Sequence, residues 1–153
     1  MAYLTCWIGL DDATEENGCL HYIPGSHRWG LLEKTGLAGD MDSVREVLTP
    51  AQVSDFEKQR PIVLNQGECT FHHPLMMHGS YENQSDHPRR ATVINVLGDG
   101  VTSNWEGAHS PGTENFPMLP KGEQMAGQFY PVLFEAEKAL GELAETIPTV
   151  KSL

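Results

Sequence analysis

FHHPLMMHGSYENQSDHPRRATVINVL, residues 71–97, carries the clearest structural and chemical signal of the chain. Its middle, GSYENQSDHP, is rich in Gly, Asn, Ser, Asp and Pro and reads as a turn. The flanks read as strands: ECTFHHPLMMH before the turn and RRATVINVL, rich in Val, Ile and Thr, after it. The pattern predicts a hairpin with His78 closing one strand and Arg89 and Arg90 opening the next, Pro88 standing at the strand start where it loses no ladder bond. Neighbouring strands lie about 5 Å apart, so such a hairpin brings an imidazole and a guanidinium to one small diacid.

The residue types suit a metal-assisted reaction. A non-haem iron centre needs two histidines and one carboxylate on one face of the metal, leaving the other face open. A guanidinium is the natural clamp for a carboxylate because its planar fork pairs two N–H groups with two oxygens. On spacing alone, the solvated or core-satisfied reading of His78 is the favoured one, and Arg89 and Arg90 read equally as charges that guard a sheet edge. No histidine in the chain is followed two positions later by Asp or Glu. A zinc site built on His72, His73 and His78 is disfavoured, because Pro74 prevents a helix that would gather them. Adjacent strand residues face opposite ways, so at most one of His72 and His73 can face the same site as His78.

Working outward, residues 2–10 alternate and are apolar, and the polar run DDATEEN ends at the turn dipeptide Asn17-Gly18. Residues 19–24 read as the returning strand, and PGSHRWG as a loop. Residues 31–48 are ambiguous. Thr49, Pro50 and Gln52 form a helix start, with a cap, a proline in the first turn and a capping-box glutamine, and a short helix to about Lys58 follows. Residues 60–64 and 67–73 read as a strand pair around Asn65-Gln66-Gly67. Residues 98–122 are irregular, a lid or contact arm in character. Residues 132–146 place Leu133, Ala136, Leu140 and Leu143 on one helical face, ending before Pro148.

Composition narrows the classes. At 153 residues and 39% hydrophobic content the chain can bury one core, and a single domain over residues 1–153 is expected. A net charge of -11 argues against nucleic acid and against anionic membrane surfaces. No apolar run has the length of a membrane span, and residues 1–10 lack signal-peptide features. Cys6, Cys19 and Cys69 are odd in number and widely spaced, which predicts reduced thiols in the cytoplasm.

Several ordered blocks resemble the phytanoyl-CoA dioxygenase family. TCWIGLDDATEENGCLHYIPGSHRWG (residues 5–30), HPLMMHGSYEN followed by PRRA, GDGVTSNWEG and PKGEQMAGQFYPVLFE occur in the family's order. The resemblance implies an Fe(II)- and 2-oxoglutarate-dependent dioxygenase that hydroxylates an aliphatic C–H of a small or lipid-like substrate. It also implies a mainly β fold, a double-stranded β-helix (the cupin-like jelly roll) with peripheral helices. By the same resemblance His78 matches the distal iron histidine, Arg89 the 2-oxoglutarate arginine with Arg90 as fallback, Trp7 an aromatic of the cosubstrate pocket, and Ser80 and Asn83 polar positions nearby. Trp7 reads equally as a plain core aromatic. The family's His-x-Asp motif stands a short way upstream of the segment matching residues 5–10, so the chain is expected to be truncated there and its roll incomplete, with strand edges exposed to pairing in a homo-oligomer. His27, His72 and His73 are the residues at hand to complete a metal site locally. Two rivals follow from the missing motif: a catalytically inactive jelly-roll module that binds a ligand or partner, and a cupin-like isomerase using another metal.

Overall fold

The computed structural model describes residues 3–33, 40–106 and 118–135. Contacts group the chain into two compact units, Met1–Gly98 and Asp99–Leu153. Among the described residues the first contains six strands in two three-stranded antiparallel sheets, one ordered β4-β1-β6 and the other β3-β2-β5.

β1 (Tyr3–Gly9) is the centre of the first sheet, paired on one side with β4 (Cys69–His72) and on the other with β6 (Ala91–Leu97). Its register sets Thr5 opposite His72 and Asn95, and Trp7 opposite Thr70 and Val93. β2 (Leu20–Tyr22) is the centre of the second sheet, between β3 (Arg60–Ile62) and β5 (His78–Ser80). Pro61 is tolerated because β3 is an edge strand, where one missing N–H breaks no inner ladder.

The inner residues of each sheet meet in one core. Trp7 from the first sheet clusters with Leu20 and Tyr22 from the second and with Ala13 and Cys19, and Ile62, Leu64, Met76 and Ala91 pack against that cluster. Leu20 and Tyr22 alternate with His21, which turns outward against Tyr81. Short helical segments follow in the stretch between β2 and β3. A 3-10 run at Met41–Val47 brings Met41 over Gly79, and α1 (Pro50–Phe56) packs through Phe56, which is fully buried. The Thr49 side chain accepts from the Gln52 amide and the Gln52 side chain accepts from the Thr49 amide, the capping box expected from the sequence.

Three expected pairings are corrected. The strand that returns after Asn17-Gly18 does not fold back on β1 but crosses to the other sheet. Residues 60–64 and 67–73, close in sequence, supply β3 and β4 to different sheets. The hairpin expected over residues 71–97 is likewise absent: a turn at Pro74-Leu75 ends β4, His78 opens β5 instead of closing the preceding strand, and β6 lies in the opposite sheet. The cause is shared. Alternation tells which face a residue occupies but not which strand is its neighbour.

In the second unit isolated bridges join Thr102 to Gln124 and Gly127 to Tyr130, and the Ser103 hydroxyl donates to the Leu119 carbonyl. The helix expected over residues 132–146 lies mostly outside the described residues, and residues 132–135 carry no regular element. Part of the irregular stretch 98–122, residues 107–117, is also outside them. Among the described residues no helix is long and apolar enough to cross a membrane.

Candidate functional site

Arg89 reaches back from just before β6 to the start of β2. Its Nε donates to the Gly18 carbonyl at 3.0 Å, its Nη2 donates to the Ser80 hydroxyl at 3.2 Å, and its Cζ sits 5.6 Å from the Trp7 ring centroid. Gly18 is required for this arrangement. Its φ is +82°, and a Cβ there would stand 2.8 Å from the Tyr81 carbonyl, so only glycine lets the loop after β5 approach so closely. A guanidinium has five N–H donors. Two are spent on orientation, and the Nη1 side of the fork is uncommitted among the described residues. Trp7 is both things the sequence allowed, a buried core aromatic and the surface over which the arginine lies.

Arg90 is spoken for. Its Nη2 and Nε donate to the two carboxylate oxygens of Asp11 at 2.8 and 2.9 Å, and its backbone N–H donates to the same carboxylate at 2.8 Å. Those bonds hold the Asp11 carboxyl down at about 2. The fallback clamp is therefore an exposed structural pair. Asn83 is also structural: it accepts from the Ser85 amide and donates to the His87 carbonyl, shaping the turn between β5 and β6.

The histidines fall into separate groups. His78 is exposed, and its Nδ1 stands 2.7 Å from the Met76 carbonyl. Because a carbonyl only accepts, Nδ1 carries the proton and Nε2 is left with a lone pair, the state a metal ligand needs. His72 is buried, its ring 4.6 Å from that of His78 and its Nδ1 2.8 Å from the Tyr22 hydroxyl. Burial, with the His78 imidazole adding to it, lowers the pKa of His72. His73 faces the other way and pairs with His27 at 5.4 Å between ring centroids, as strand alternation requires. Among the described residues no three His, Cys, Asp or Glu side chains converge on one point that would hold a metal ion. These residues therefore do not supply the full ligand set of an iron centre, whereas Arg89, Ser80 and Trp7 do form a seat suited to a carboxylate.

Tyr22 and Asp11 carry no site motif in the sequence, and Gly18 is marked there only as a turn residue. Tyr22 carried a faint signal, its place on the same face as Leu20. Asp11 carried none, since its partner lies 79 positions away.

Comparison with known proteins gives this fold and its arginine seat a family. The phytanoyl-CoA dioxygenase (PhyH) family matches residues 1–91, so the chain belongs to that family, whose members are Fe/2-oxoglutarate-dependent oxygenases. Among its relatives, phytanoyl-CoA dioxygenase 1 of Oryza sativa subsp. japonica is 33% identical over 91 residues, covering 60% of this chain and 31% of that protein. Phytanoyl-CoA dioxygenase domain-containing protein 1 of Mus musculus is 34% identical over 122 residues, covering 76% of this chain and 40% of that protein. The chain thus spans 31 to 40% of the length of these curated relatives. The crystal structure of the non-heme alpha ketoglutarate dependent carbocyclase SnoK from nogalamycin biosynthesis matches with a TM-score of 0.56 at 28% identity, over 86% of this chain and 49% of that one.

Proposed function

We propose that this chain is the cosubstrate-holding portion of an Fe(II)- and 2-oxoglutarate-dependent dioxygenase that hydroxylates an aliphatic C–H of a small or lipid-like substrate. The observation that carries the proposal is the Arg89 seat: a half-buried guanidinium oriented by the Gly18 carbonyl and the Ser80 hydroxyl over Trp7. In this reading the free side of Arg89 pairs with the far carboxylate of 2-oxoglutarate, Ser80 fixes the angle of the guanidinium, and Trp7 walls the cosubstrate from water. His78 offers its bare Nε2 as the one iron ligand of the family pattern in this chain. A histidine and a carboxylate from outside the 153 residues complete the set. When bound, iron would activate dioxygen with the 2-oxo acid as electron donor, the acid losing carbon dioxide and taking up one oxygen atom to end as succinate. The described residues do not hold the metal alone.

The two sheets are read as the later strands of a double-stranded β-helix, and residues 1–153 as part of one such domain. Strand edges left open would pair in a homo-oligomer, which light scattering tests. The free thiols of Cys6, Cys19 and Cys69 fit a cytoplasmic setting, and the net charge of -11 fits a protein without a nucleic-acid partner.

The test is 2-oxoglutarate binding followed by tryptophan fluorescence or calorimetry. Arg89→Ala should weaken binding at least tenfold and Arg89→Lys less, since a lysine keeps the charge and loses the fork. Unchanged binding in both variants overturns the reading. The second reading, an inactive binding module, is favoured by the absence of a three-ligand group among the described residues. It requires 2-oxoglutarate or another acid to bind while the protein that contains this chain forms no succinate.

A further inference from the structure

We infer that His72 and His78 form a two-imidazole site for a first-row transition-metal cation, so that the second nitrogen ligand available within this chain is His72. The inference rests on the reading that His78 faces the metal side of the site, and it adds a residue that the family resemblance did not mark.

Three observations support it. The first is spacing. Two imidazoles bound through nitrogen at about 2.1 Å, at angles of about 90 to 110° on one ion, have ring centroids about 4.5 to 5.3 Å apart. The His72 and His78 rings are 4.6 Å apart. The second is tautomer control. His78 is held with Nε2 bare by the Met76 carbonyl. His72 has its Nδ1 on the Tyr22 hydroxyl at 2.8 Å. A hydroxyl both donates and accepts. When a cation takes Nε2 of His72, Nδ1 keeps the proton and donates to the Tyr22 oxygen. The neutral ligand form thus costs no buried bond. The third is alternation. His72 lies opposite Thr5, on the inner face, and its neighbour His73 points away to His27. Remaining coordination positions are left to water, or to ligands from outside the chain.

Cu(II) is the probe, because its electron spin-echo modulation separates one bound imidazole from two. The 153-residue chain should take one equivalent with a two-imidazole signature. His72→Asn keeps a polar atom where Nδ1 meets Tyr22 and removes Nε2, so the fold should survive by circular dichroism while the signature drops to one imidazole and affinity falls at least tenfold. His78→Ala should do the same, and His27→Ala should change nothing. An unchanged signature and affinity in His72→Asn overturns the inference, as does loss of the two-imidazole signature in His27→Ala. If His72→Asn weakens binding and His78→Ala does not, it is the assignment of His78 to the metal side that fails, and the two-imidazole site with it. The Arg89 titrations with 2-oxoglutarate stand apart from all these outcomes.

Discussion

The Tyr22 hydroxyl and the His72 Nδ1 lie 2.8 Å apart although the two residues belong to different sheets. Both are buried, so the bond ties the sheets across a region with little water to replace it. Tyr22→Phe keeps the ring packing and removes the partner of His72. It should lower stability by about 1 to 3 kcal/mol, the cost of a buried polar atom left alone, read from the urea midpoint. A variant as stable as the parent would show that water satisfies His72.

The Asp11–Arg90 pair should respond to Arg90→Ala in a way independent of the site. The Asp11 carboxyl, held at about 2, should return toward its ordinary value of about 3.9, followed by NMR titration. Binding of 2-oxoglutarate should be unchanged, because Arg90 takes no part in the Arg89 seat. A matching loss of binding would mean that both arginines address the acid.

The features legible in the sequence were those settled within a few residues. The Thr49–Gln52 box, the Gly18 turn and the opposite facings of His72 and His73 depend on spacings of one to four positions, and all are present. Strand partners were not legible. Cys69 and Ile62 are seven positions apart and enter different sheets, while Thr5 meets Asn95. The arginine of the seat was recognisable through family resemblance, but Gly18 as its acceptor was not, since nothing local to Gly18 signals a guanidinium from the far end of the fold.

Stability should fall as the solution is acidified from pH 7 toward 5. His21 is buried, with its Nδ1 lacking a hydrogen-bond partner, and burial lowers its pKa below 6.5 despite an opposing pull from Glu15. A histidine whose folded value is depressed leaves the unfolded chain binding more protons, so stability is full above about 6.5 and is lost below it, by up to about 1.4 kcal/mol per pH unit. His21→Phe should flatten that slope without abolishing it, since His72 is depressed in the same direction. An unaltered slope in denaturation curves at pH 7, 6 and 5 would remove His21 as a cause.

Thr49→Ala tests how firmly α1 is held. The helix has seven residues, too few to persist without its cap and its one buried anchor, Phe56. Loss of the cap should cost about 1 kcal/mol, and Phe56→Ala about 3 to 5, by chemical denaturation. A Thr49→Ala cost near zero would show that Pro50 and the Phe56 anchor hold the helix without the box.

The order of strands in the first sheet has a consequence for biosynthesis. β1 is central, yet its neighbours are residues 69–72 and 91–97, so its ladders in this sheet close only after these distant segments have appeared. At about 5 to 20 residues per second, translation keeps β1 waiting for roughly 5 to 20 s. Contacts this distant also slow folding itself, into the range of about milliseconds to seconds. Tyr3–Gly9, a strand whose partners in this sheet are distant in sequence, is thus a segment that gains from shielding as it leaves the ribosome.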